Sequence, residues 1–317
     1  MRTKLSRPLG RSRIRTLLLH NPASGDRLPR ADQLIVEACK LGLLVSYQST
    51  KEPRYKVALR QGWDLIVVAG GDGTVAKVAR QLRYRKIPII ILPVGTANNI
   101  ARSLGLVSKQ PIANYLTASL RDLNVGTARG PWGNLAFVES VGLGAIADAI
   151  SQSENKPPKP FRVTTGRDEL RDYLKTAEPY HVEISVDGKV YVGEFLFVEV
   201  MNLSFSGPKL ALAFSASPDD RLFDVVFLSE QERGHMLDWL AGHPDETPPP
   251  VAVHRGRKNI NQVVRSALAR GRSCVLSPGD YQQSENPVSI QESQNFSAGL
   301  GARPSGALFT LRSSLNC

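Results

Sequence analysis

Short apolar runs alternate with amphipathic stretches along the first part of the chain. Arg15–His20, Leu65–Ala69 and Ile87–Leu92 are nearly continuous apolar runs, the last two rich in β-branched residues. Runs of this kind predict strands buried on both faces, as in a parallel sheet. Leu43–Gln48 predicts a further strand. Between the runs the apolar spacing turns helical. Leu34, Ile35 and Ala38 face inward from a helix over about 29–40, and a short helix is expected around Pro53–Gln61. Val75, Val78, Ala79 and Leu82 predict a helix starting near Thr74. Ile100, Ala101 and Leu104 predict another that ends at Gly105. The alternation over roughly residues 14–121 predicts an open, mostly parallel sheet with helices on its faces.

The strands lead into unusual turns. Asn21-Pro-Ala-Ser-Gly25, Gly70-Gly-Asp-Gly-Thr74 and Pro93-Val-Gly-Thr-Ala-Asn98 each follow one. They should share the carboxyl edge of the sheet, where such folds bind ligands. Three glycines in Gly70–Gly73 cost backbone entropy, which suits positive φ or a ligand touching the main chain. A glycine turn opening a helix is an anion site, because free N–H groups and the helix dipole both favour phosphate. Asp72 sits inside it. Between Asp72 and Asp122 there is no Asp or Glu, whereas Lys77, Arg80, Arg83, Arg85, Lys86, Arg102, Lys109 and Arg121 fall in that span. A polyphosphate suits such a field.

After Asp122 the pattern changes. Ser151–Pro160 is polar and proline-rich and reads as a loop. Tyr180–Val192 alternates about Asp187-Gly188, which predicts a β-hairpin. Val182, Ile184, Val186, Val190 and Val192 are expected on its buried face. Phe195–Met201 and Leu222–Leu228 are further strands, so a second, antiparallel β domain is expected. The predicted organisation is a basic arm at 1–13, an α/β domain at 14–121, a β-sandwich domain at 122–240 and a divergent, poorly ordered tail at 241–317.

Composition narrows the class. The chain has 317 residues, 42% hydrophobic and 22% charged, which is ordinary for a soluble globular protein. A net charge of +11 suggests anionic partners. Nucleic acid is not expected, because no recognition motif accompanies the charge. Three scattered cysteines argue against a disulfide framework or zinc site and fit a reducing cytoplasm. No apolar run approaches the length of a spanning helix. Gly71-Asp-Gly-Thr-Val-Ala76 matches the dinucleotide fingerprint G-x-G-x-x-A, but that reading needs an acidic residue about 20 positions on, and the acid-free span has none. No Walker motif is present.

Three motifs taken together carry a resemblance: Asn21-Pro-x-Ser-Gly25, Gly70-Gly-Asp-Gly-Thr74 and Leu92-Pro-x-Gly-Thr-Ala-Asn-Asn-Ile-Ala101. In this order and spacing they resemble the diacylglycerol kinase catalytic domain family, which includes bacterial lipid kinases and sphingosine kinases and is distantly related to NAD kinases. The resemblance continues through Asn124-Val-Gly126, Phe137–Gly144, Val198–Asn202, Gly207-Pro208 and Asp219–Asp224. It implies an α/β domain followed by an antiparallel β-sandwich, and an ATP-dependent kinase acting on diacylglycerol or a related lipid alcohol. Gly70, Gly71, Gly73 and Thr74 would cradle the ATP phosphates. Asn21, Ser24, Thr50, Gly95 and Thr96 would complete the nucleotide site. Asp72 would be catalytic, taking the proton of the lipid hydroxyl or helping to hold Mg²⁺. Asp220, with the carbonyls of Ser217 and Leu222, matches a structural Mg²⁺ site, although Arg221 replaces the usual glycine. His20 is expected to be structural. Expected partners are the lipid alcohol, an anionic membrane met peripherally from the cytoplasm and, as an option left open, a second copy as a homodimer. The family's acidic C-terminal motif is missing. Asp280 and Glu285 lie in its region without its context, and nothing after about Lys258 resembles the family. A homologue that binds nucleotide or lipid without turnover is therefore the competing reading.

Overall fold

The computed structural model describes residues 14–24, 30–106, 110–130, 133–154, 163–242, 247–256, 260–264, 288–293 and 308–310. They fall into two units, 1–125 with 294–317, and 126–293.

In the first unit, β1 (Arg15–His20), β2 (Leu44–Ser49), β3 (Leu65–Gly70) and β4 (Pro88–Pro93) form a parallel sheet in the order β2-β1-β3-β4. The helices α1 (Ala31–Lys40), α2 (Tyr55–Leu59), α3 (Asp72–Leu82) and α4 (Asn99–Ser103) follow these strands in turn. A fifth, α5 (Ile112–Leu116), precedes the short β5 (Leu120–Arg121). The apolar runs form strands because burial on both faces rewards every position. All six residues of β3 are buried, and each full-sized aliphatic among them contributes about 1.5–3 kcal/mol. Helical spacing likewise predicts the inner face of α3, where Val75, Val78, Ala79 and Leu82 are buried. The strand order reverses between β1 and β3: the chain moves from β1 outward to β2, then returns past β1 to β3. That switch point leaves a crevice at the carboxyl ends of β1 and β3.

The second unit opens with β6 (Val125–Gly130), β7 (Gly133–Phe137) and β8 (Ser140–Gly144). It continues through α6 (Ala145–Glu154), α7 (Val163–Thr176), β9 (Tyr180–Val186), β10 (Lys189–Met201), β11 (Phe223–Ser229) and α8 (Arg233–Ala241). Its sheet is antiparallel at β6–β7, β8–β10, β9–β10 and β10–β11. Two apolar clusters flank the sheet. One packs strand against strand, bringing Ala128, Phe137 and Val141 together with Val182, Val198 and Phe223. The other packs Ile146 of α6, Leu174 of α7 and Met236 of α8 with Phe197, Met201 and Val226.

Three expectations change. In the hairpin, Val182, Ile184 and Val186 are buried, but Val190 and Val192 are 55% and 58% exposed. The two-residue turn pairs Val186 with Lys189 and Ile184 with Tyr191. A residue and its direct partner share a face, so the inward set switches from even to odd numbers across the turn. Where a loop is expected at 151–160, residues 151–154 belong to α6, which runs to Glu154; 155–160 lie outside the described residues. The stretch 241–317, expected as a poorly ordered tail, supplies strands in its described residues. β12 (Ala252–Gly256) pairs with β11, while β13 (Ile260–Val264) pairs with β9 and with β14 (Val288–Ser293). The strand Leu308–Thr310 enters the first sheet, antiparallel to β4 and parallel to β5. The basic arm at 1–13 lies outside the described residues.

Candidate functional site

Because β1, β3 and β4 are parallel, their turns meet on one edge, as the sequence predicts. The crevice at the switch point is a small open cleft of about 50 Å³ lined by Asn21, Thr50, Lys51, Tyr55, Thr74, Lys77 and Val78. Its geometry is fixed from three strand ends. The Asn21 amide N–H is held by the carbonyl of Ala69 on β3 at 2.9 Å, and the Thr50 amide by that of His20 on β1 at 2.9 Å. Asn21 Nδ2 donates to Thr74 Oγ1 at 3.0 Å. In the first turn of α3 the Thr74 and Val75 amides donate to the Gly71 carbonyl at 3.0 and 3.1 Å, while the Gly73 N–H has no carbonyl one turn back and is available to an anion. Lys51 and Lys77 add charge of the matching sign.

The glycines of the turns have a different reason from the one expected. None of Gly70, Gly71, Gly73 or Gly95 has positive φ. What they permit is close approach. A Cβ on Gly95 would lie 2.4 Å from Gly71 Cα, and one on Gly71 would lie 3.2 Å from Gly95 Cα. The β3–α3 and β4–α4 turns thus touch backbone to backbone. Gly70 lies under Thr74, whose Cβ and Cγ2 would be 2.6 Å from an added Cβ. Gly73 differs: a Cβ there would meet nothing within 4 Å. The protein itself does not require a glycine at 73, and the open space beside an exposed helix start is what a phosphate would fill.

Asp72 bridges the two turns. Its Oδ1 accepts the Ile100 amide at 2.8 Å, which fastens α4 to the start of α3. Burial pushes its carboxyl above the ordinary 3.8, while the amides of Ile100, Asn99, Asn98 and its own residue pull the other way. The Gly95 turn is closed by Asn98, whose side chain accepts the Gly95 amide at 2.9 Å and donates to the Gly95 carbonyl at 2.6 Å. Asn98 has φ 53, a left-handed conformation that asparagine tolerates better than most residues. Thr96 is exposed on this turn. The Ser24 amide donates to the Asn21 carbonyl, and Gly25 lies outside the described residues. His20 is buried with Nδ1 3.4 Å from the Tyr47 hydroxyl, and burial lowers its pKa.

The expected metal residues lie in the second unit. Asp220 Oδ1 accepts the Leu222 amide at 2.9 Å, and the Ser217 hydroxyl donates to Asp219 at 2.6 Å. Burial raises the Asp220 pKa, with Asp224 and Asp219 adding to it and Arg255 opposing. Buried Asp224 is paired with Arg255 at 3.2 Å. A fixed guanidinium therefore offsets much of the negative charge that a cation would offset. Among the described residues no group of three or more His, Cys, Asp or Glu side chains is placed to hold a metal. Arg221 has φ 63, so the backbone keeps a glycine-like conformation without the glycine.

Comparison with known proteins gives the resemblance a measure. The model of the diacylglycerol kinase catalytic domain matches residues 15–128. The chain is 27% identical over 235 residues to a diacylglycerol kinase of Bacillus subtilis (strain 168), covering 68% of this chain and 74% of that protein. It is 25% identical over 265 residues to one from Staphylococcus carnosus (strain TM300), covering 78% and 84%. The crystal structure of a diacylglycerol kinase from Bacillus anthracis str. Sterne superposes with a TM-score of 0.62 at 19% identity, over 88% of this chain and 94% of that one. At that identity the superposition speaks for the fold.

In the first unit the structure brings Asn21, Thr50 and Thr74 into one cleft, and Asp72, Gly71 and Gly95 together in the turns beside it. Sequence reasoning missed Lys51, Tyr55 and Asn98 as site residues. Lys51 follows Thr50 at the end of β2, and that position on the ligand edge was its available signal. Tyr55 carried no signal of its own, whereas Asn98 lay inside the Pro93–Asn98 turn, and that place was its available signal.

Proposed function

We propose that the chain is an ATP-dependent lipid kinase that transfers the γ-phosphoryl group to the hydroxyl of diacylglycerol or a related lipid alcohol. The observation that carries this reading is the cleft at the β1/β3 switch point, where Asn21, Thr50, Thr74 and two lysines converge on a small open space. ATP, when bound, would supply the transferable phosphoryl group. The start of α3 and Thr74 would hold its phosphates, with Gly73 leaving room for them, and Asn21 fixes the Thr74 hydroxyl. Thr50, Ser24 and Thr96 would border the nucleotide. Lys51 and Lys77 would offset phosphate charge, which is most of what phosphoryl transfer asks of a protein. Asp72 would take the proton of the acceptor hydroxyl or help to hold Mg²⁺. A structural Mg²⁺ at Asp220 would have one carboxylate and the carbonyls of Ser217 and Leu222, a sparse set beside Arg255.

No helix among the described residues is long and apolar enough to cross a membrane. The net charge of +11 supports peripheral contact with an anionic cytoplasmic surface. One observation favours a second reading. Asp72 is already engaged with the Ile100 amide, as a purely structural carboxylate would be, and a chain that binds nucleotide without turnover would show the same bond.

The deciding assay gives purified protein labelled ATP, Mg²⁺ and diacylglycerol in mixed micelles, beside Asp72→Asn. Label in lipid from the unsubstituted protein alone supports the kinase with Asp72 as a catalytic residue. Equal label from both removes Asp72 from the chemistry. No label from either, with ATP still bound, establishes the non-catalytic reading.

A further inference from the structure

The segment that leads into β11 carries the carboxylates Asp219, Asp220 and Asp224, and the protein supplies a partner for each. Asp219 accepts the Ser217 hydroxyl at 2.6 Å, and Asp220 Oδ1 accepts the Leu222 amide at 2.9 Å. Asp224 is 2% exposed. Its Oδ1 accepts from Arg255 Nε at 3.2 Å and from the Ser215 hydroxyl at 3.4 Å. The backbone sets the Arg255 contact, because Arg255 lies directly opposite Asp224 in the β11–β12 ladder. The same guanidinium donates through Nη2 to the Ser215 carbonyl. It thereby ties β12 to the start of β11 and to the main chain of the loop before it. Its charge reaches further. Burial raises the Asp220 pKa, and Arg255 is the cation that pulls it back.

Joining carboxylates to loop carbonyls while offsetting their charge is also the work of a bound divalent cation. The two cannot share one place. A guanidinium has no proton to give up, so a metal ion beside it meets a fixed like charge. Mg²⁺ and Ca²⁺ each ask for about six or more oxygens. Here the Ser215 carbonyl is turned to Arg255, and the Ser217 carbonyl accepts the Asp220 amide at 3.5 Å. We propose that Arg255 stands in the place of a structural cation, so that residues 215–224 are held to β12 by a resident guanidinium and keep their shape without metal. Removal of Arg255 would leave Asp220 and Asp224 without their counter-charge, and a divalent cation could then take the position. The inference concerns the second unit alone and holds whether or not the chain phosphorylates a lipid. A metal ion brought to the first unit by a nucleotide is a separate matter.

The test follows thermal unfolding of the full chain without nucleotide, dialysed against EDTA and then returned to millimolar Mg²⁺ or Ca²⁺. Alongside it, the paramagnetic resonance signal of free Mn²⁺ measures how much of that ion is bound. Any response of the unsubstituted protein to chelation or to the ions should be the same in Asp220→Asn. Arg255→Ala should melt about 5 °C lower in EDTA, from the loss of charge-assisted bonds. It should regain part of that in Mg²⁺ or Ca²⁺ and bind additional Mn²⁺, and adding Asp220→Asn should abolish both gains. Arg255→Lys keeps the charge without the planar fork; it should melt lower yet gain no Mn²⁺. A melting temperature of the unsubstituted protein that falls on chelation, but not in Asp220→Asn, overturns the proposal. So does Mn²⁺ binding by the unsubstituted protein that Asp220→Asn removes. An Arg255→Ala variant that folds and gains nothing from any of the ions overturns it as well. Should Arg255→Ala fail to fold, Arg255→Gln carries the same expectation, and the comparison of the unsubstituted protein with Asp220→Asn decides without either.

Discussion

Glu199→Gln should stabilise the second unit by an amount that depends on pH. Burial moves the carboxyl from its ordinary 4.5 to about 7. Every tenfold gain in proton affinity is worth about 1.36 kcal/mol, so ionising Glu199 in the folded chain costs about 3 kcal/mol more than in the unfolded one. The sign follows from which state holds the proton more tightly. Here it is the folded state. The unsubstituted chain therefore has its full stability below 4.5, loses it as pH rises through about 7, and is level above that. Glutamine has no proton to lose. The stability difference between the variant and the unsubstituted chain should grow by about 3 kcal/mol between acid and mildly alkaline pH. Guanidinium unfolding of both proteins from about pH 4 to about pH 9, with hydrogen exchange of the β10 amides as a readout confined to this unit, measures it. A difference that stays level with pH, or shrinks as pH rises, would show that the carboxyl is solvated or paired and refute the reasoning.

Thr74→Val keeps the shape of a buried side chain but leaves Asn21 Nδ2 without its 3.0 Å acceptor; it should destabilise by about 1–3 kcal/mol and weaken ATP binding, read by thermal shift with and without nucleotide. Lys77→Met should weaken ATP binding by about tenfold at low salt and less at high salt, because the lost attraction is electrostatic and partly screened; an effect independent of ionic strength would contradict the assigned role. Arg221→Gly relieves a left-handed backbone at φ 63 and should raise stability by about 0.5–1 kcal/mol after the extra freedom of the unfolded chain is counted; a lowered melting temperature would show that the Arg221 side chain outweighs the strain.

The parallel sheet was legible because β3 and β4 are apolar runs that need no partner to be recognised, and β3 is buried at all six positions. The shared edge of the turns follows from that topology. What was not legible depends on pairing. Which side of β10 faces inward follows from Val186 lying opposite Lys189, a register that alternation within either strand cannot supply. Glu199 reads in sequence as one polar residue in a strand, and its burial comes from the helices packed over that face. The glycine turn was legible as a turn on the carboxyl edge of the sheet, but the physical reason for its glycines was not. Positive φ is a local property, whereas the contact of Gly71 with Gly95 joins two turns that sequence treats separately. Lys51 and Tyr55 enter the cleft only because β2 lies beside β1.

The Gly71–Gly95 contact also sets how this site can drift over generations. The two positions are not equally constrained. An alanine at 71 would meet Gly95 Cα at 3.2 Å, a crowding that small movements can relieve, whereas one at 95 would meet Gly71 Cα at 2.4 Å and the Asn98 side chain at 2.9 Å. In a saturation library selected for function, survivors at 71 should include alanine, while 95 should hold glycine alone. Wherever alanine enters at 71, the loop carrying Gly95 must shift with it. The two loops would then diverge as a linked pair, and a change in one would alter the background against which mutations in the other are tolerated.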